Sequence, residues 1–225
     1  MPVTAIIAAR NEAPAIAEVV RGVSAVLPPE SEVLVMDDGS SDGTAECARA
    51  AGARVIRRAS PHGKGLALRD GLAAARGDIL VFLDGDGQDP PEDVTRLLAA
   101  LAPDVDLVNG SKFLGTCREG AISRINRVGN RFMTGLVNVL FGTALTDTQS
   151  GFRAVRRSSL AGFALRATEY EIETEMLLRG LRRGWTVREI GVTRDRRAAG
   201  RSGFRRVRNG LRILAVILAL RWARN

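Results

Sequence analysis

Ile79-Leu80-Val81-Phe82-Leu83-Asp84-Gly85-Asp86-Gly87-Gln88-Asp89-Pro90-Pro91 holds a buried strand and an acidic turn in one line. The unbroken apolar run describes a strand covered on both faces. It leads directly into two carboxylates separated by one glycine. Asp-Gly is ordinary turn chemistry, but a covered strand that delivers two acids to one point calls for a cation. Carboxylates at i and i+2 in a non-helical turn can face one Mg2+ or Mn2+. Gly85 lets a diphosphate approach the backbone closely. A metal held there keeps positions open for diphosphate oxygens and neutralises the charge of a leaving nucleoside diphosphate. Pro90-Pro91-Glu92-Asp93 then opens a helix to about Leu101, with proline where its missing N–H costs nothing.

Outward from this stretch, strand and helix signals alternate. Strands are expected over residues 3–9, 32–36, 54–56 and 106–108, and helices over 13–27, 44–51 and 65–75. Repeated β-α units of this length predict an α/β fold with a mostly parallel sheet and right-handed crossovers. In such sheets ligands bind beyond the carboxyl ends of the strands. The first strand ends in Arg10-Asn11-Glu12 and the second in Asp37-Asp38-Gly39-Ser40, so three acidic strand ends converge on one edge. Asp42-Gly43-Thr44 reads as a helix start. The second half is less regular: a long helix over 122–141, a strand over 151–155, a helix over 171–183 and a last strand over 186–192.

At 225 residues the chain suits one sizeable core. Cys47 and Cys117 stand far apart without a metal-ligand pattern, which points to a reducing, cytoplasmic compartment rather than a disulfide scaffold. One histidine, His62, argues against a zinc hydrolase. The start of the chain reads as a strand and not as a secretory signal. From Arg194 to Asn225 ten arginines face one acid, Asp195, while the remaining 23 basic and 24 acidic groups nearly cancel. That asymmetry describes one basic attachment zone, not a surface that coats nucleic acid.

Five segments, taken together and in order, carry a resemblance. They are Ala9-Arg10-Asn11-Glu12, Val35-Met36-Asp37-Asp38-Gly39-Ser40-Ser41-Asp42-Gly43-Thr44, Gly63-Lys64-Gly65, Asp84 to Pro91, and Asp147-Thr148-Gln149-Ser150-Gly151-Phe152-Arg153. The chain resembles a family-2 glycosyltransferase with the Rossmann-like GT-A fold, and within it the dolichol-phosphate mannose synthase and polyprenyl-phosphate glycosyltransferase branch. The resemblance implies inverting transfer of a sugar from GDP-mannose or a UDP-hexose to a polyprenyl or dolichyl phosphate. Asn11 and Glu12, with the backbone around Ala8 to Arg10, would hold the nucleoside. Asp37 or Asp38, beside Gly39, would contact the base or ribose, and Lys64 joins the donor-binding group. Asp84, Asp86 and Gln88 would form the metal and diphosphate group around Gly85. Arg197, in Arg197-Ala198-Ala199-Gly200-Arg201-Ser202, would meet the donor diphosphate. The family's lysine after that serine is Gly203 here, and Arg10 stands where an aromatic residue often precedes the Asn-Glu pair.

On the acceptor side, Arg124, Arg127 and Arg131 fall at i, i+3 and i+7 and share a helix face. With Lys112, and with Gln149 and Ser150 on the neighbouring loop, they are candidates to clamp a phosphate. A phosphate monoester is largely ionised near neutral pH and attacks without a strong base; a sugar hydroxyl needs one. Asp147 is the residue to watch, either as that base or as the group that orients the acceptor and its loop. Asp86 and Asp147 are thus the expected catalytic pair. Glu171, Glu173 and Glu175 cannot all face one point on a helix; surface charge is the expected role, with Glu175 the one candidate for a site neighbour. Gly63-Lys64-Gly65 is not a P-loop, because Ala59 stands at the earlier glycine position and no serine or threonine follows Lys64. No Gly-x-Gly-x-x-Gly follows the first strand, which argues against a dehydrogenase.

Residues 1–203 read as the catalytic domain and 204–225 as a basic amphipathic helix. Arg201, Arg205, Arg208 and Arg212 are expected on one face and Leu211, Leu214, Leu218 and Trp222 on another. Ile213 to Leu220 is far short of the roughly 20 residues that span a bilayer. The helix is therefore expected to dock peripherally at the inner face of the cell membrane, or to pack its apolar stretch on the globule or on a second subunit of a homo-oligomer. Competing readings are a glycosyltransferase with a soluble or glycan hydroxyl acceptor, a nucleotidyltransferase lacking its usual phosphate loop, and a silent membrane-surface module.

Overall fold

The carboxyl ends of three neighbouring strands meet where the chain reverses its direction of travel across the sheet. In the computed structural model, residues 1–198 and 203–223 are described. Strand β1 (Val3–Ala9) stands between β2 (Glu32–Asp37) and β4 (Ile79–Asp84), with β3 (Arg54–Arg57) outside β2. All of these neighbours pair in parallel. The crossovers are α1 (Ala13–Val26), α2 (Thr44–Ala50) and α3 (Lys64–Ala74). The chain winds outward from β1 in one direction and returns as β4 on the other side. The gap between β1 and β4 is therefore the switch point at which an open α/β sheet binds ligands.

The other half of the sheet continues through β6 (Arg153–Arg156), β5 (Leu107–Ser111) and β7 (Val187–Gly191), in the full order β3-β2-β1-β4-β6-β5-β7. Strand β6 runs antiparallel to both neighbours. That reversal has a functional result. Arg153 pairs with Phe82 near the carboxyl end of β4, so the Asp147–Phe152 loop arrives at the same edge as the acidic turn. Strand β5 brings Ser111 and Lys112 to that edge as well.

Apolar side chains cover the sheet on both faces. Ile7, Val35, Val81 and Phe152 pack with α1 and with α4 (Glu92–Ala100) on one side. Ile6, Met36, Leu80 and Leu107 pack with α3 and with α6 (Ile172–Arg182) on the other. A third cluster joins α5 (Arg124–Phe141) and α7 (Arg206–Trp222) to α6 through Val137, Leu178, Ile213, Ile217 and Leu220. The α7 face expected to carry Leu211, Leu214, Leu218 and Trp222 is the outward one: Leu211 and Trp222 are exposed, and Ile213, Ile217 and Leu220 pack inward. The basic face also divides. Arg205 and Arg208 are exposed, while Arg212 reaches Thr168 at 3.2 Å and Glu171 at 3.5 Å. Arg201 lies outside the described residues. Among those described, no helix is long and apolar enough to cross a membrane.

Candidate active site

The end of β1 is tied to the end of β2 by side chains. Asn11 adopts a left-handed conformation (φ 56°). Its N–H donates to Ser40 Oγ and its Oδ1 accepts from the Ser41 N–H, both at 2.9 Å. Glu12 is buried and donates its N–H to Thr44 Oγ1 at 2.9 Å. Asp42 accepts from Thr44 N–H and Ala13 N–H at 3.1 Å, the helix-start role expected of it. Asp38 places one oxygen on the His62 N–H and the other on the Gly63 N–H, each at 2.9 Å. Asp37 Oδ1 accepts from Ser40 N–H at 2.9 Å, and its Oδ2 lies 3.5 Å from Arg57. Gly39 (φ 70°) lies so close to the next loop that a Cβ would come within 2.7 Å of Pro61 N. Arg10 is exposed and Ala8 partly so.

Three cations surround the acidic turn. Lys64, at the first turn of α3, reaches Asp84 at 2.6 Å and Glu173 at 2.7 Å. Arg197 bridges Asp86 at 2.8 Å and Glu12. Arg194 contacts Asp89 at 2.5 Å and lies 3.9 Å from both Asp84 and Asp86. Among the described residues, Glu12, Asp84, Asp86, Asp89 and Glu173 are thus five acids against three cations, an excess of two.

The titration shifts follow that imbalance. Burial pushes Glu12 from its ordinary 4.5 up to about 7; Arg197 pulls it back in part, and Asp86 adds to the rise. Asp86 is raised by burial and then by the charge of Asp84. Burial also opposes ionisation of Asp84, but Lys64 and Arg194 outweigh it and hold its carboxyl below the usual range. Lys64 is pushed the other way: burial disfavours its charge, and the Asp84 and Glu173 carboxylates more than restore it. Two hard-oxygen carboxylates two residues apart, with acids in excess of cations among the described residues, fit a divalent cation of the Mg2+ or Mn2+ kind.

Gln88, expected in that metal group, is engaged otherwise. Its amide nitrogen donates to the Asp195 carbonyl at 2.8 Å and to that of Ala121 at 3.3 Å, and its oxygen accepts from Arg194 at 3.0 Å. It fastens the segment carrying Arg194 and Arg197 over the acidic turn. The Asp195 N–H to Gln88 carbonyl bond at 2.8 Å completes the fastening. Arg197 is placed as expected at the turn, while Gly200 and Ser202 of its motif lie outside the described residues.

On the acceptor side Asp147 is fully buried. It pairs with Lys112 and accepts from Asn130 Nδ2 at 2.9 Å and the Gln149 N–H at 3.2 Å. Both of its oxygens are committed in this arrangement. Lys112 and Arg131 flank the Phe113 ring, at 5.0 and 5.9 Å from its centroid. The structure brings only this arginine of the three to Lys112's neighbour: Arg124 is exposed, and Arg127 donates to Cys117 Sγ at 3.7 Å. Gln149 accepts from Thr174 at 3.0 Å and Ser150 from the Phe152 N–H at 3.2 Å, so both shape their own loop.

Glu173, Arg194 and Asn130 escaped the sequence reading. Glu173 and not Glu175 faces the site; Glu175 instead accepts from Arg166 N–H, Ala167 N–H and Arg179. Two acids two apart on a helix differ by about 200° in direction, and nothing local says which one Lys64 will meet.

The chain matches the family described as Glycosyl transferase family 2 over residues 4–163. It belongs to that family. Glycosyltransferase AglJ of Haloferax volcanii is 39% identical over 155 residues, covering 68% of this chain and 50% of that protein. Undecaprenyl-phosphate mannosyltransferase of Micrococcus luteus is 35% identical over 210 residues, covering 86% of this chain and 83% of the relative. Among solved structures, glucosyl-3-phosphoglycerate synthase from Mycobacterium tuberculosis, bound to Mn2+, UDP and glucosyl-3-phosphoglycerate, superposes with a TM-score of 0.77. It is 26% identical, and the match covers all of this chain and 81% of that one. The chain is a family-2 glycosyltransferase of GT-A architecture, similar to the dolichol-phosphate mannose synthases.

Proposed function

We propose that this glycosyltransferase transfers a hexose from GDP-mannose or a UDP-hexose to a polyprenyl phosphate, with inversion, at the inner face of the cell membrane. The observation that carries the acceptor is the state of Asp147. The acid best placed on the acceptor side is buried and held by Lys112, Asn130 and the Gln149 N–H. An acceptor that arrives already ionised needs no base there, and a polyprenyl phosphate is such an acceptor. The relative from M. luteus, an undecaprenyl-phosphate mannosyltransferase, supports the same choice.

In this reading Asp84 and Asp86 hold Mg2+ or Mn2+, which when bound neutralises the diphosphate of the leaving nucleotide. Arg197 and Arg194 stand beside the turn to meet the same diphosphate, and Lys64 keeps Asp84 ionised. Lys112 and Arg131 hold the acceptor phosphate. One of its oxygens attacks the anomeric carbon, the bond from that carbon to the diphosphate oxygen breaks, and the electron pair leaves with the nucleoside diphosphate. Attack from the opposite face inverts the anomeric centre.

A soluble acceptor is the second reading, favoured by the likeness to the glucosyl-3-phosphoglycerate synthase. The metal and donor assignment is tested by Asp86→Asn. Its expected effect is a fall in metal-dependent transfer of about 100-fold or more; activity near wild type would overturn the assignment.

A further inference from the structure

We propose that Glu189 is a positioning residue for the acceptor: with its neighbours across the sheet it sets the backbone of residues 146–148, and through it the Asp147 carboxylate that holds Lys112. The proposal rests on the placement of the acceptor phosphate at Lys112 given above. Arg153 on β6 pairs with Asn109 on β5, and Asn109 pairs with Glu189 on β7. Directly paired residues of adjacent strands carry their side chains on the same face. Three polar side chains therefore form one row across three strands. The row continues as Phe82 on β4 and Ile6 on β1, which belong to the apolar packing of that face. Arg153 and Asn109 are buried, and Glu189 is half-buried. Polar groups in such a place cost free energy unless they find hydrogen-bond partners.

Those partners lie on one short segment. Residues 146–148 belong to no strand or helix, so their main-chain groups must be satisfied from outside. Glu189 Oε1 accepts from the Asp147 N–H at 3.1 Å. Its Oε2 accepts from the Thr146 N–H at 2.6 Å and the Thr146 hydroxyl at 2.9 Å. Asn109 Nδ2 donates to the Asp147 carbonyl at 2.7 Å and to Glu189 Oε1 at 2.9 Å. Arg153 donates to the Thr148 carbonyl at 3.0 Å, and the Thr148 N–H donates to Thr134 Oγ1 on α5 at 3.1 Å. Side chains rooted in three strands and a helix thus fix an irregular segment, as a site held to a set geometry requires. Asp147, fully buried at its centre, then meets Lys112 and Asn130. The charge on Glu189 matters to this cradle. A carboxylate offers only acceptors, whereas an amide in its place turns an NH2 group toward donors.

The test is steady-state kinetics of Glu189→Gln in the full chain, with donor and acceptor varied separately, in the wild-type and Lys112→Ala backgrounds. Glu189→Gln is expected to raise KM for a short prenyl phosphate about tenfold and to leave KM for the nucleotide sugar within about twofold. In the Lys112→Ala background the same substitution is expected to raise acceptor KM by less than about twofold further, because the group it positions is already gone. Thr146→Val keeps the backbone bonds and removes one hydroxyl. It is expected to raise acceptor KM about threefold, and it decides the matter if Glu189→Gln does not fold. Equal rises in donor and acceptor KM for Glu189→Gln would overturn the proposal, as a general loosening of the fold acts on both. So would effects of Glu189→Gln and Lys112→Ala that simply multiply, or a wild-type acceptor KM in Thr146→Val. Wild type that glycosylates 3-phosphoglycerate and not the prenyl phosphate would refute the lipid-phosphate reading alone; the same comparison run on phosphoglycerate then decides Glu189.

Discussion

Arg197 links Asp86 and Glu12, two acids from different strand ends, and so in the proposed reading would couple the nucleoside side of the site to the metal side. Arg197→Ala leaves both carboxylates without that partner. It is expected to raise KM for the nucleotide sugar about tenfold or more, measured by initial rates at saturating acceptor. Glu12 carries a pH signature. With its pKa raised from 4.5 to about 7, the folded chain keeps a proton that the unfolded chain has released across that window. Stability of the metal-free protein therefore falls as pH rises from about 5 to 7. Asp86, also raised, acts in the same direction. Glu12→Gln is expected to flatten that decline, and melting temperatures across the window check it. Lys112→Ala removes the proposed phosphate contact and the partner of Asp147 together, and is expected to raise KM for the acceptor phosphate with a smaller change in kcat.

At the scale of elements, the antiparallel strand β6 delivers the Asp147–Phe152 loop to the edge that carries the acidic turn, with Gly151 beside Lys64 and Glu173. A Cβ there would lie 3.2 Å from Lys64 Nζ and 3.5 Å from Glu173 Oε1. Gly151→Ala is expected to displace the Lys64 ammonium by a few tenths of an ångström and to cost under about 1 kcal/mol of stability, measured by denaturant unfolding, with weakened donor binding. The elements themselves were largely legible. Strand β1 and the helices α1 to α3 follow from apolar runs and periodicity to within a residue or two. The reversed direction of β6 was not, because a four-residue strand reads the same either way and its pairing with both β4 and β5 is a property of the sheet. The α7 stripe was visible as a pattern, yet a periodicity shows two faces without saying which one the globule buries. Gln88 was read from its place in a motif, and only the fold shows it fastened to Asp195 and Ala121. Glu173 was hidden for a related reason: its partner Lys64 is more than a hundred residues away.

Over the whole molecule, the proposed reading puts the donor at the switch point between β1 and β4 and the acceptor phosphate at Lys112 and Arg131, beside Phe113. The central claim is that the acceptor is a lipid phosphate and not a hydroxyl. Its most direct test is mass spectrometry of products after incubating the protein and Mg2+ or Mn2+ with GDP- and UDP-hexoses, offering a short polyprenyl phosphate and 3-phosphoglycerate together. The account predicts a single hexose added to the prenyl phosphate, abolished by EDTA, and no glycosylated phosphoglycerate. Hexosyl phosphoglycerate with the prenyl phosphate untouched would contradict it.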